Sequence, residues 1–215
     1  MSNEVRDNRL AEELEEMRRL TSECSLIRFE TKDKDLPDQY VVKYHCRGLA
    51  QKDRVADFHM VNVYLSADYP RVPPIIRFKT PIFHPNFKAM LDDGQEIERL
   101  AGVVGGTQNL ERLYHQNLKV RELFDAYICL DVLQENWSPA FTLYNICLEL
   151  GAMIQYQRFN VNDPLNAEAA EWTKWAQTQP GLLPIDPRDL RDRLPSVPIK
   201  ESDKATIRIL KVEKV

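Results

Sequence analysis

Tyr127-Ile128-Cys129-Leu130-Asp131-Val132-Leu133-Gln134-Glu135-Asn136-Trp137-Ser138-Pro139 is the stretch around which this chain is read. It carries a cysteine in an apolar setting, followed by a Trp-Ser-Pro turn. Upstream stands Phe83-His84-Pro85-Asn86, and downstream Asn162-Asp163-Pro164-Leu165-Asn166. A thiol, a side-chain amide and a carboxylate, each in its own short motif, point to acyl transfer through a cysteine thioester. The thiolate is the nucleophile, and its thioester keeps the acyl group activated.

Outward from that stretch, periodicity supplies the frame. Leu143, Ile146, Cys147, Leu150 and Ile154 make one apolar stripe and predict a helix over 142–157, with Thr142 as N-cap. Cys147 falls on the stripe and is expected to be a buried small hydrophobe. After the break at Asn160–Pro164 a second helix is expected over 166–177, with Ala169, Ala170 and Trp172 inward. At the other end Leu10, Leu14, Met17 and Leu20 predict an amphipathic helix over 8–20. Its remaining faces, Glu12, Glu13, Glu15, Glu16, Arg18 and Arg19, read as a solvated surface or a docking face.

Residues 26–79 read as a run of strands. Val41 and Val42 lie in a segment rich in strand-forming residues. In the next segment His59, Val61, Val63 and Leu65 share one face, and Met60, Asn62 and Tyr64 the other. Short connections favour an antiparallel meander. His45 and His59 read as packed or half-exposed strand residues. Tyr69-Pro70-Arg71-Val72-Pro73-Pro74 must be a stiffened loop, since proline fixes φ and lacks an N–H.

Between Asn86 and Cys129 lies an insertion, residues 87–126. Asp92-Asp93-Gly94 signals a turn, and Gly102–Thr107 reads as a flexible linker. Leu110, Leu113, Tyr114 and Leu118 then give an apolar helical face over 108–124. A helical flap beside the cysteine is the expectation. After Gln179-Pro180-Gly181, the prolines 184, 187, 195 and 198 suggest an extended linker, ending in a possible strand over 205–212.

Composition narrows the class. The 215 residues are 43% hydrophobic and 29% charged, with a net charge of −4. That is ordinary globular composition and argues against nucleic acid as main partner. No apolar run approaches the roughly 20 residues of a membrane span, so no membrane partner is expected. Met1–Arg6 shows no apolar signal region, which makes the cytoplasm the expected compartment. Cys24, Cys46, Cys129 and Cys147 form no C-x-x-C pair, so neither zinc nor disulfides are expected. The chemistry calls for no cofactor and no metal.

In this order, the Pro70–Pro74 loop, Phe83–Asn86, Ile128–Asp131, Trp137–Pro139 and Asp163–Leu165 resemble the ubiquitin-conjugating enzymes. The resemblance implies an α+β fold: an N-terminal helix, a four-stranded antiparallel meander and C-terminal helices, here with a partly helical insertion before the cysteine. It implies a catalytic domain over 1–180 and an extension over 181–215. It assigns Cys129 to accept a ubiquitin-like protein from an activating enzyme, Asn86 to the oxyanion, and Asp163 to the incoming lysine of a target. His84 and Pro85 would shape the asparagine's loop. Tyr69, Pro70, Arg71, Pro73, Ser138, Pro139 and Ala140 would form the surface that meets a ligase.

Read without the resemblance, Asn86 is a loop amide bonded to backbone, and Asp163 a helix N-cap. Three departures stand out: the length of the insertion, Arg71 where ligase-binding members carry an apolar residue, and the tail. Arg71 weakens the case for a conventional RING-type ligase, and the three together suit a divergent system, such as a bacterial one. Two alternatives remain: a catalytically silent relative that binds or scaffolds, and a cysteine hydrolase pairing Cys129 with His84 or His115, which requires an imidazole within reach of the sulfur.

Overall fold

In the computed structural model, residues 3–88, 94–116, 127–128 and 137–191 are described. Cys129 and the tail from 192 lie outside them, as does the possible strand at 205–212. Helix α1 spans Asn3–Glu23. Leu10, Leu14, Met17 and Leu20 are at most 5% exposed, so the periodic stripe is a core face. It packs on α4, Leu143–Ile154, where Cys147 meets Met17 at 3.9 Å between sulfurs. No helix among the described residues is long and apolar enough to cross a membrane.

Glu13 corrects the reading of α1's polar faces, because it is fully buried. One carboxylate oxygen accepts from Leu143 N–H at 2.7 Å, at the first turn of α4. The other pairs with Arg9 at 2.6 Å and accepts from the Tyr69 hydroxyl. Arg9 in turn donates to Phe141 O at 2.7 Å. A buried charge needs such partners. Burial raises the Glu13 carboxyl, and the Tyr69 hydroxyl, the Leu143 amide and Arg9 oppose that rise. Thr142 occupies the N-cap position of α4 in extended backbone, but its side chain makes no cap bond. Glu13 supplies it instead.

The sheet is antiparallel with order β1-β2-β5-β6, formed by Ile27–Glu30, Gln39–Tyr44, His59–Tyr64 and Ile75–Phe78. A hairpin, β3 (Gly48–Gln51) with β4 (Arg54–Ala56), interrupts the meander between β2 and β5. Alternation holds as expected: His59, Val61, Val63 and Leu65 are buried, and Tyr64 faces out. His59 is sealed in the core, where burial pushes it down to about 4 and keeps it neutral. His45 is exposed, with its ring against Phe58.

The insertion stands on a two-stranded stem. β7, Phe87–Lys88, pairs antiparallel with β8, Tyr127–Ile128, in the register Phe87↔Ile128 and Lys88↔Tyr127. Phe87 is fully buried between Phe78 and His84, with both ring separations 4.6 Å. Beyond the stem, α2 (Gly94–Val103) and α3 (Thr107–Gln116) form a helical hairpin. Its turn needs Gly105 at φ 83° and Gly106 at φ 120°. Ala101 and Leu110 are buried there. Of the stretch read as a linker, Gly102 and Val103 end helix α2, 104–106 form the turn and Thr107 opens α3, which accounts for the first part of the helix expected over 108–124. The remainder, 117–126, lies outside the described residues, as do Asp92 and Asp93.

The chain after Pro180 does not leave the domain as an extended linker. Through Arg191 it folds back. Leu190 is 5% exposed and occupies space left by Gly151, where a Cβ would meet it at 2.5 Å. Ile185 N–H donates to Gln155 O at 3.0 Å, and Gln155 Nε2 donates to Arg188 O at 2.9 Å. Buried Asp186 accepts from Arg47 N–H at 2.8 Å and pairs with Arg188 at 2.6 Å.

Burial alone would raise the Asp186 carboxyl, but Arg188 and two backbone amides outweigh it and bring it down to about 2. The unfolded value near 3.8 is higher, so the unfolded chain binds more protons between the two. The stabilisation is therefore complete above about pH 4 and is lost as pH falls toward 2. Urea unfolding of Asp186→Asn is expected to show a loss of about 2 kcal/mol at pH 7 that shrinks in that acid window. An equal deficit at pH 7 and pH 2 would contradict it.

Candidate active site

Two loops are laced together around His84, Pro85 and Asn86. The first is Phe83–Asn86; the second runs from Tyr156, after α4, to Asn166, before α5 (Ala167–Gln177). Tyr156 Oη donates to Phe83 O at 2.7 Å. His84 Nε2 meets Arg158 O at 3.1 Å. Asn86 Nδ2 donates to Asn160 O at 3.0 Å, and its Oδ1 accepts from Asn160 N–H at 2.7 Å. Pro85 O accepts from Leu165 and Asn166 N–H, at 2.8 and 3.0 Å. These contacts satisfy backbone that neither helix nor sheet could.

His84 is fully buried, and both ring nitrogens are used. Nδ1 accepts from Asn86 N–H at 3.1 Å, so Nε2 carries the proton and donates to Arg158 O. Burial pushes His84 down to about 3, with the Arg158 contact opposing. It is neutral near pH 7 and is a brace, not a mobile base, which removes the His84 form of a hydrolase. The side chain of His115 lies outside the described set.

Asn86 is 5% exposed. Its carbonyl and one amide hydrogen are held by Asn160; among the described residues the second Nδ2–H has no acceptor and can donate elsewhere. Asp163 is exposed, and among the described residues its carboxylate has no partner. It is not the helix cap: Asn166 is, accepting from Ala169 N–H at 3.0 Å. The structure thus brings the Asn86 and Asp163 loops together, while Cys129 lies beyond the described residues.

The proposed ligase surface is likewise assembled from two loops. Trp137 Nε1–H donates to Pro70 O at 2.9 Å, fastening Ser138–Ala140 beside the proline loop. Pro139 and Ala140 are exposed, as is Arg71, which pairs with Asp68 at 2.6 Å. Tyr69 is a correction. It is fully buried on Glu13 and cannot meet a partner.

Sequence reading passed over Tyr156 and Asn160. Tyr156 sits at φ 59°, unusual for a non-glycine residue. Its ring packs on His84 and Trp172, 4.8 and 5.5 Å away. The polar run from Asn160 to Asp163 was the available hint.

Residues 107–179 match the family described as "Ubiquitin-conjugating enzyme". Ubiquitin-conjugating enzyme E2 13 of Saccharomyces cerevisiae is 33% identical over 115 residues, 53% of this chain and 51% of that protein. The chain thus spans about half the length of the curated relative it matches. Among solved structures, the E2 domain of a Toxoplasma gondii ubiquitin conjugating enzyme aligns at TM-score 0.48 and 21% identity, over 78% of this chain and 87% of that one. A protein described as a ubiquitin conjugating enzyme from Plasmodium yoelii aligns at TM-score 0.47 and 23% identity, over 77% and 83%. The matched segment spans Cys129 and Asp163, so this part of the chain is similar to the ubiquitin-conjugating enzymes.

Proposed function

We propose that this chain accepts a ubiquitin-like protein on Cys129 as a thioester, from an activating enzyme, and passes it to an amine of a target lysine. The observation that carries this reading is the stem pair Phe87↔Ile128. Phe87 follows Asn86, and Ile128 precedes Cys129. Asn86 and Cys129 are thus the immediate chain neighbours of one strand pair. The insertion therefore need not separate amide from thiol.

The chemistry follows from the side chains. The Cys129 thiolate attacks the carbonyl of the modifier's thioester on the activating enzyme and expels that enzyme's thiolate. An uncharged lysine amine then attacks the new thioester. The tetrahedral oxyanion takes the free Nδ2–H of Asn86, a neutral donor that does not pair with the departing thiolate. Collapse breaks the C–S bond and leaves an isopeptide. Asp163 is placed on the loop bonded to Pro85, where its carboxylate can hold and orient the incoming ammonium before it loses its proton. A ligase or the target would meet Pro70, Arg71, Pro73 and Ser138–Ala140. The test is to incubate the protein with activating enzyme, modifier and ATP, and to look for a reductant-sensitive adduct.

One observation favours a second reading. Asn86 is bonded both ways to Asn160 backbone, as a purely structural amide would be. A catalytically silent, modifier-binding relative would keep that bond and form no adduct.

The α2–α3 hairpin stands on the stem that follows Asn86 and precedes Cys129, which supports a role in contacting the modifier or the acceptor. Replacing residues 89–126 by a short Gly/Ser linker, with the stem kept, is expected to leave charging intact. It should change the discharge rate or the choice among acceptor lysines, read by single-turnover chase. Parent-like behaviour in charging, discharge and acceptor choice would make the hairpin peripheral.

A further inference from the structure

Helix α5 begins where the Asp163 loop ends, and its exposed face carries a feature that the transfer chemistry does not use. Glu168, Glu171, Trp172 and Trp175 lie at helical spacing and, with Lys52 and Asp53 in the β3–β4 turn, line an open cleft of about 400 Å³. Trp175 is 53% exposed, a large indole surface left in water. Its ring lies 6.3 Å from that of Trp172. Three carboxylates face one ammonium here, and that ammonium, Lys52, stands 3.7 Å from Glu168. The cleft is thus net anionic with an aromatic wall, which suits a cationic side chain lying over an indole face.

The cleft is also fastened to the site. Trp172 meets Phe83 edge-on at 6.2 Å and Tyr156 at 5.5 Å, and Phe83 directly precedes His84-Pro85-Asn86. Along α5, Ala167 to Trp175 spans about 12 Å. An extended peptide covers that in about four residues, and the further reach from Asp163 to Ala167 extends the separation to about four to six.

Resting on the transfer reading above, we propose that this cleft binds an arginine or lysine side chain of the acceptor protein, about four to six residues from the lysine that is modified. The acceptors favoured would then be segments with a second basic residue at that distance.

The test uses the full chain and paired peptides, each with one accepting lysine. One peptide carries arginine about five residues away on either side; its twin carries alanine there. Fluorescence polarisation of labelled peptides on the uncharged protein is expected to show about five- to tenfold tighter binding of the arginine peptide at low salt, a difference that salt erodes. Trp175→Ala and Glu171→Arg, both at exposed positions, should remove the difference. Discharge of the charged protein should show the same preference on peptides, with free lysine discharging at the parent rate. Equal binding of the two peptides, or a preference that survives both substitutions, overturns the assignment. If the thioester forms and discharges to free lysine without any arginine preference, the cleft assignment alone falls. If the peptide preference is present but no thioester ever forms, the transfer reading falls and the peptide is not an acceptor.

Discussion

Cys129→Ala is expected to abolish adduct formation with the modifier completely, while Cys129→Ser should trap an oxyester that survives reductant and is cleaved by hydroxide. The other cysteines cannot substitute. Cys24, Cys46 and Cys147 are fully buried. Burial pushes their thiols up, to about 11, 12 and 12 respectively, so the thiolate is suppressed at neutral pH. Cys147 is further enclosed between Met17 and the Tyr44 hydroxyl, which bonds its backbone carbonyl. A non-reducing gel of the three proteins, followed by alkaline treatment, reads the result. Charging that persists in Cys129→Ala would refute the assignment.

Asn86→Ala is expected to charge normally but to discharge to free lysine about a hundredfold more slowly, as when one oxyanion donor is lost. The structure adds a second consequence. Deletion of the amide leaves both backbone groups of Asn160 without their partner, at a cost of about 1–3 kcal/mol. The variant should therefore melt earlier yet retain its thioester. Measuring charging and discharge separately resolves the two effects. Equal losses in both would mean that Asn86 acts through folding alone.

Local patterns in the sequence foretold much of this fold. The alternation from His59 to Leu65 placed β5, and the stripe from Leu143 to Ile154 placed α4, since each depends on one buried face with a fixed period. What escaped was set by tertiary partners. Glu13 reads as an outward charge until Arg9, Tyr69 and the Leu143 amide are brought around it. Tyr69 reads as part of an exposed proline loop until Glu13 takes its hydroxyl. Helix α2 begins at Gly94 and carries Gly102, poor helix formers that argue locally against a helix there. The segment through Arg191 has linker composition, yet the space at Gly151 receives Leu190. Of the site, the motifs were legible because they are short and ordered. The lacing of His84, Pro85 and Asn86 to residues 158–166 was not, because those bonds join positions far apart in the chain.

Thioester formation on Cys129 is read by intact-mass analysis of the unaltered protein after incubation with an activating enzyme, its ubiquitin-like modifier and ATP, with and without thiol reductant. The predicted result is a single adduct of chain plus modifier that maps to Cys129 and disappears with reductant. No adduct, with the same activating enzyme demonstrably charging another conjugating enzyme with that modifier, or an adduct at any other residue, would contradict it.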